Sequence, residues 1–316
     1  MIGWDFSVFW EIGRAVLEGR SPYTVEFSRY PPAAAFFFTI FALLPFTAAF
    51  AAWAGLNVAL YIHRLRRMKL GFSGWVWLLY TPFVFNILTG QLDILFWWAA
   101  MGLRPPRQQA AAPTPSEGSR FTRPDLDAWI PALAAAFFTL KPQLAAVVLP
   151  WYLVRWLLHE RGLLLRWAGV TAVLHALPLI YDPMIYSQWL AALSGVSEMK
   201  MGVSGGIFAF GLVGLPLWLL AVVGLALAVW GLFQDELTSR SAQLTAFPIT
   251  IWYDDVLLAG IGPVRWMVAL SWLAFVGAFL VENSLPLVAI PVAALGWLLY
   301  MRFRAFQRTR KSEASP

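Results

Sequence analysis

The sequence predicts an all-α fold, a polytopic transmembrane helical bundle, and three observations carry that prediction. Sixty per cent of the 316 residues are apolar and only 13% are charged, against roughly a quarter charged in an ordinary soluble domain. Several apolar runs reach the ~20 residues that a helix needs to cross the hydrocarbon, so the spans are helical and not barrel strands. Short basic clusters separate the runs, as expected of cytoplasmic loops. A single membrane domain over residues 1–316 is expected, with no sizeable soluble domain.

Residues 3–32 read as an outer loop carrying an interfacial helix. Asp5, Glu11, Arg14, Glu18 and Arg20 all fall within the first twenty positions of a chain that otherwise avoids charge. A helix is expected from about Ser7 to Glu18, for which Asp5 could serve as N-cap. Tyr30-Pro31-Pro32 then leads into the apolar run 33–62, where Pro32 suits a first helical turn because its missing N–H would be unpaired anyway. Leu44-Pro45-Phe46 breaks or kinks that run. It ends at Arg64-Leu65-Arg66-Arg67-Met68-Lys69, so it starts outside and ends inside.

Transmembrane helices are expected over 33–103 and 128–301. Basic clusters flank residues 74–103 and 128–156 on both sides, so each must cross twice or turn back. With arms of about 14 residues, roughly 21 Å of helix, these are short hairpins. Their tips read Thr89-Gly90-Gln91-Leu92-Asp93 and Leu140-Lys141-Pro142-Gln143. The run 242–264, between Arg240 and Arg265, repeats the pattern around Trp252-Tyr253-Asp254-Asp255. Polar groups at membrane depth must face protein or a wet cavity, and three polar tips on one side suggest a shared one. Single crossings complete the bundle at 163–181, 207–233, 266–281 and 286–301. An outer loop, 182–206, holds a short interfacial helix at 185–190. Residues 104–127 read as a flexible cytoplasmic linker and 302–316 as a basic cytoplasmic tail.

Composition also excludes functions. The basic residues sit in loop clusters rather than on one face, so nucleic acid is not an expected partner, whereas membrane lipid is. The absence of cysteine removes disulfides and thiol chemistry. His63, His159 and His175 are too scattered to suggest a metal site, and neither a metal nor a cofactor is expected. The sequence does not open with a basic region followed by an apolar stretch, so a cleavable signal peptide is not expected.

A few residues are placed to do chemistry. Asp5 reads either as a loop or capping carboxylate, or as a general base whose pKa a partly apolar setting raises into a useful range. Lys141 is the lysine inside an apolar run, where it costs about 2.5–3.5 kcal/mol at the bilayer centre. It either snorkels to the surface or meets an anion such as phosphate. Gln91 and Asp93 offer an amide and a carboxylate at their tip, or simply make a turn. Of Asp254 and Asp255, one is expected to face the cavity and the other to cap the returning helix. Arg14, Arg20, Arg29 and Lys200 either bind an acidic headgroup or decorate the outer loops.

Asp5-Phe6, Val8-Phe9-Trp10, Gly19-Arg20-Ser21-Pro22-Tyr23, Tyr30-Pro31-Pro32, Gly90-Gln91, Leu140-Lys141-Pro142 and Tyr253-Asp254 occur in the order and approximate spacing of one family. Over residues 3 to 260 the chain resembles glycosyltransferase family 87, a branch of the GT-C superfamily of membrane enzymes. The resemblance implies a GT-C-type bundle that transfers a sugar, typically mannose, from a polyprenyl phosphate to a lipid-linked or glycan acceptor on the outer side of the membrane, with inversion and without a metal. It implies Asp5 as general base and Lys141 at the donor phosphate. Arg29, Tyr30, Gln91, Asp93, Gln143, Tyr253 and Asp254 complete the expected substrate site. The implied location is a bacterial plasma membrane. The family places a transmembrane helix ahead of the aspartate, so an N-terminal span is expected to be missing from this sequence. The linker from Arg104 to Asp127 is also longer than the family leads one to expect. The rival function is a lipid or solute transporter or flippase, since broken helices with polar tips also build transport sites. A buried lysine disfavours the third possibility, a non-catalytic scaffold.

Overall fold

The structure of the protein, a computed structural model, describes residues 2–103, 129–194, 206–248 and 252–313. Among them every regular element is helical, and the chain is an all-α membrane bundle. The α-helices are α1 (Trp4–Leu17), α2 (Pro32–Ala42), α3 (Phe46–Arg67), α4 (Thr81–Thr89), α5 (Asp93–Ala99), α6 (Ile130–Phe138), α7 (Pro142–His159), α8 (Arg161–Tyr181), α9 (Ile185–Ser194), α10 (Leu217–Leu232), α11 (Glu236–Ala246), α12 (Val264–Leu280) and α13 (Ala289–Glu313). Short 3-10 segments lie at Pro22–Thr24, Phe72–Leu79, Ile207–Val213, Trp252–Leu258 and Leu285–Val288.

Among the described residues α3, α8 and Leu285–Arg310 are long and apolar enough to cross a membrane. Phe72–Leu79 with α4 forms a further, broken candidate bent by 53°. In α8 only 11% of the apolar window is buried by protein, and Leu165, Val173, Leu177 and Ile180 are largely exposed. Such a face is stable against hydrocarbon rather than water.

The chain divides into two units, residues 1–6, 50–95 and 198–316 forming one and residues 7–49 and 96–197 the other. In the first, α11 packs on α10 and α13, and α12 lies against α4, Phe72–Leu79 and α13. Small residues let α10 and α11 approach closely. A Cβ on Gly231 would sit 3.0 Å from that of Ala242, and one on Gly224 would sit 2.9 Å from the Ala246 carbonyl. In the second unit α8 contacts α2, α6, α7 and α9. There Phe9 stacks on Phe38 with ring centroids 4.6 Å apart, and Tyr30 meets both rings edge-on.

Helix breaks strand carbonyls, and aromatic side chains supply the missing donors. Trp10 Nε1–H donates to Leu44 O at 2.9 Å in the α2–α3 break, and Trp53 Nε1–H to Gly90 O at 3.0 Å in the α4–α5 break. The Tyr80 hydroxyl donates to Asp255 O at 3.1 Å, and the Tyr61 hydroxyl adds a second donor at 3.0 Å to Trp77 O, which already accepts from Tyr80 N–H at 3.1 Å. Trp272 Nε1–H donates to Leu79 O at 2.7 Å. In hydrocarbon no water would take these roles, and each unpaired group would cost several kcal/mol.

Three expectations are corrected. Helix α1 begins at Trp4, not Ser7, which puts Asp5 in its first turn rather than at the N-cap. Gly3, at φ 73°, donates its N–H to Leu88 O at 2.7 Å and turns the chain just ahead of the helix. Residues 207–233 are not one span, because Gly214 at φ 89° and Pro216 separate Ile207–Val213 from α10. Arg240, assigned to an inner loop, lies on α11, only 3% exposed and ion-paired to Glu236. That helix starts ahead of the expected run because the Asp235 carboxylate caps it, accepting from Thr238 N–H at 3.0 Å. Residues 302–313, in the segment read as a basic tail, continue α13, since neither Gly nor Pro interrupts residues 297–313 and Arg302 pairs with Asp235. The expected interfacial helix is α9. The linker 104–127 and Lys200 lie outside the described residues.

Two glycine substitutions should act with opposite sign. A Cβ at Gly13 would lie 2.5 Å from Phe38 O and 2.9 Å from Ala42 Cβ, whereas nothing lies within 4 Å of one at Gly55. Gly13→Ala should destabilise by about 1–3 kcal/mol. Gly55→Ala should stabilise by roughly 0.5–1 kcal/mol through helix propensity. Thermal unfolding of the two purified variants in detergent checks both signs.

Candidate active site

Asp5, Gln91, Asp93, Tyr253 and Asp254 lie in the first unit. Asp5 is half-buried in the first turn of α1, where the helix dipole favours a carboxylate. Among the described residues its carboxylate has no hydrogen-bond or ion-pair partner.

Gln91 and Tyr253 come together, Gln91 Nε2–H donating to the Tyr253 phenol oxygen at 2.9 Å. Asn86 joins them by donating Nδ2–H to Tyr253 O at 3.0 Å and Pro82 O at 2.8 Å. Its own carbonyl accepts the N–H groups of Gly90 and Gln91 at 2.9 and 3.0 Å, which closes the turn. Gly90 is required there, because its φ is 81° and a Cβ would lie 2.5 Å from that of Phe6. Gln91 Oε1 and Asn86 Oδ1 are buried without a hydrogen-bond partner, whereas Tyr253 is half-buried.

Asp93 opens α5, while Asp254 and Asp255 lie in the turn Trp252–Leu258, and all three are buried. Neither Asp254 nor Asp255 caps the returning helix. Helix α12 begins at Val264 with Pro263 ahead of it, several residues downstream, and the Asp255 carbonyl is held instead by Tyr80.

Arg29, Tyr30, Lys141 and Gln143 lie in the second unit. Lys141 occupies the break between α6 and α7, at φ −128° and ψ 87°, and Pro142 starts α7 behind it. It is 1% exposed. A snorkelling lysine keeps its ammonium accessible, so that alternative is set aside in favour of burial within protein. Gln143 is half-buried in the first turn of α7.

Arg29 is half-buried, with its guanidinium 6.0 Å from the Phe27 ring centroid and, among the described residues, no ion-pair partner. Its carbonyl accepts from Trp189 Nε1–H at 3.0 Å, and that of Tyr30 from the Tyr23 hydroxyl at 3.0 Å. Arg14 and Arg20, by contrast, both clasp Glu18, at 2.9 and 2.6 Å. Arg20 first, then Arg14, holds the Glu18 carboxyl below its ordinary range.

Two groups of residues escaped the sequence reading. Asn86 stands one turn before Gly90 inside an apolar run, a placement that could have flagged it. His175 contacts Thr139 Oγ1 through Nε2 at 2.8 Å and the Tyr186 hydroxyl through Nδ1 at 3.0 Å. Its signal was a lone imidazole in the lipid-facing α8. Among the described residues no group of three or more His, Asp or Glu is placed to hold a metal ion.

Fold and site together define a polytopic membrane protein whose helix breaks carry buried polar and charged side chains. The chain matches the model of glycosyltransferase family 87 over residues 27–259, well over half its length, and it belongs to that family. It is therefore a membrane glycosyltransferase, and the transporter reading gives way. No curated protein and no solved structure matched the chain. The matched region contains every expected site residue except Asp5, which lies upstream of it.

Removing the Tyr253 hydroxyl tests the cluster. Tyr253→Phe leaves the buried Gln91 side chain without a partner for Nε2, at a cost of about 1–3 kcal/mol. A lowered unfolding midpoint is the expected result, read by intrinsic fluorescence in detergent.

Proposed function

We propose that the enzyme transfers mannose from a polyprenyl phosphate to a hydroxyl of a lipid-linked or glycan acceptor, with inversion, on the outer face of a bacterial plasma membrane. The observation that carries this reading is the burial of Lys141 at a helix break inside protein. A buried ammonium at such a break suits an anionic group brought by a substrate that is itself membrane-bound. A polyprenyl phosphate carries both features.

Asp5 takes the proton from the acceptor hydroxyl as its oxygen bonds to the anomeric carbon. The bond from that carbon to the donor phosphate breaks, and the electron pair leaves with the polyprenyl phosphate. Lys141 and Arg29 stabilise the charge on the departing phosphate, the stage at which electrostatic stabilisation contributes most. Tyr30 and Gln143 line the phosphate side. Gln91, Asn86 and Tyr253 meet sugar hydroxyls, which would give the two unpaired amide oxygens the donors they lack. Asp93 and Asp254 lie in the same polar turns. The lipid-linked donor is a substrate, so the reaction as drawn uses no cofactor.

Two variants test the assignments with labelled polyprenyl-phosphate mannose. Asp5→Asn should lower the transfer rate by about 10²–10⁴-fold while donor binding is retained; full transfer by this variant would remove Asp5 as the base. Lys141→Met should weaken donor binding by about 10–100-fold, the loss of a charged hydrogen bond. Unchanged affinity would dissociate Lys141 from the phosphate.

A further inference from the structure

Helix α8 carries one imidazole in a face otherwise suited to lipid. Its sequence from Trp167 to Ile180 is apolar apart from Thr171 and His175, and neighbouring Val173 and Leu177 are largely exposed. An imidazole in such a span is unfavourable unless both ring nitrogens find partners within the protein. Both do.

Donor counting sets the direction of the bond at Thr139. The Thr139 hydroxyl donates to Ala136 O at 2.6 Å, so its oxygen accepts from His175 Nε2–H at 2.8 Å. The Tyr186 hydroxyl donates to the histidine's own carbonyl at 2.7 Å and its oxygen lies 3.0 Å from Nδ1. Both ring nitrogens thus have a hydroxyl oxygen within hydrogen-bond distance.

Each end of the bridge leads to a cation of the site. Thr139 stands two residues before Lys141 in the α6–α7 break. Tyr186 lies on α9, and two neighbours on that helix grip the outer segment. Gln188 accepts from the Ser21 hydroxyl while donating to Asp182 Oδ2 at 2.6 Å, and Trp189 holds the Arg29 carbonyl. Hydrogen bonds joined by short stretches of chain thus link the Lys141 turn through α8 and α9 to Arg29.

We propose that His175 is a positioning residue, coupling the Lys141 turn to α9 and the segment around Arg29 so that both cations meet one phosphate. This rests on the donor assignment of the preceding section, and the experiment separates the two. His175→Leu breaks both bonds and adds an apolar side chain that the lipid-facing helix accepts. His175→Gln keeps an amide that donates at one end and accepts at the other. Tyr186→Phe cuts the path at α9 alone.

Hydrogen exchange of the full chain in lipid nanodiscs reads the coupling without turnover. His175→Leu and Tyr186→Phe should speed exchange in 185–194 and 21–30, and His175→Gln should restore most of the protection. Exchange that rises only within α8 would overturn the coupling. Affinity for polyprenyl-phosphate mannose should fall about tenfold in His175→Leu and stay within about threefold of the parent in His175→Gln, with kcat changing less than KM. An unchanged donor affinity in His175→Leu would overturn the positioning role. A parent protein that does not bind this donor would sink the donor assignment, and the exchange result would still decide the coupling.

Discussion

A backbone carbonyl within a membrane must find its hydrogen-bond donor inside the protein, and at the breaks in these helices side chains contribute such donors. Trp10, Trp53 and Trp272 give indole N–H groups to Leu44, Gly90 and Leu79, and Tyr61 and Tyr80 give hydroxyls to Trp77 and Asp255. Asn86 does the same for Tyr253 with an amide. Large aromatic rings suit this task because they fill apolar space while carrying a single donor at the edge. A functional turn could not otherwise hold an open backbone at that depth.

The polar chemistry sits at those breaks. In one unit, the α4–α5 break and the Trp252–Leu258 turn carry Gln91, Asp93, Tyr253 and Asp254, with Asn86 tying the first to the second. In the other, the α6–α7 break carries Lys141, and the aromatic-tethered segment before α2 carries Arg29 and Tyr30. Each polar side chain therefore takes its position from rigid helix ends.

Much of this was legible in the chain because helix breaks have local causes. Pro45, Gly90 and Pro142 interrupt apolar runs where the backbone does turn, and Tyr30-Pro31-Pro32 opens α2 as its fixed dihedrals require. The buried α11 was not legible. Its first half, with Arg240, reads as the inner flank of the run 242–264 until Gly224 and Gly231 of α10 bring a backbone close enough to cover it. Nor was His175, whose partners lie 36 residues before it and 11 after it. No periodicity within α8 encodes either contact.

By itself the sequence determined the class of the molecule, the approximate positions of its helices and breaks, and the types of side chain found at those breaks. These follow from local properties: hydropathy over one span, the dihedral limits of proline and glycine, and the free-energy cost of placing charge in hydrocarbon. The tertiary structure alone decided which donor answers which carbonyl, that Lys141 and Arg240 are covered by protein, and that Gln91 and Asn86 share Tyr253. Those outcomes depend on residues brought together over separations such as 162 and 167 positions. They are properties of packing, where a donor and an acceptor become partners only after the helices between them have taken their places.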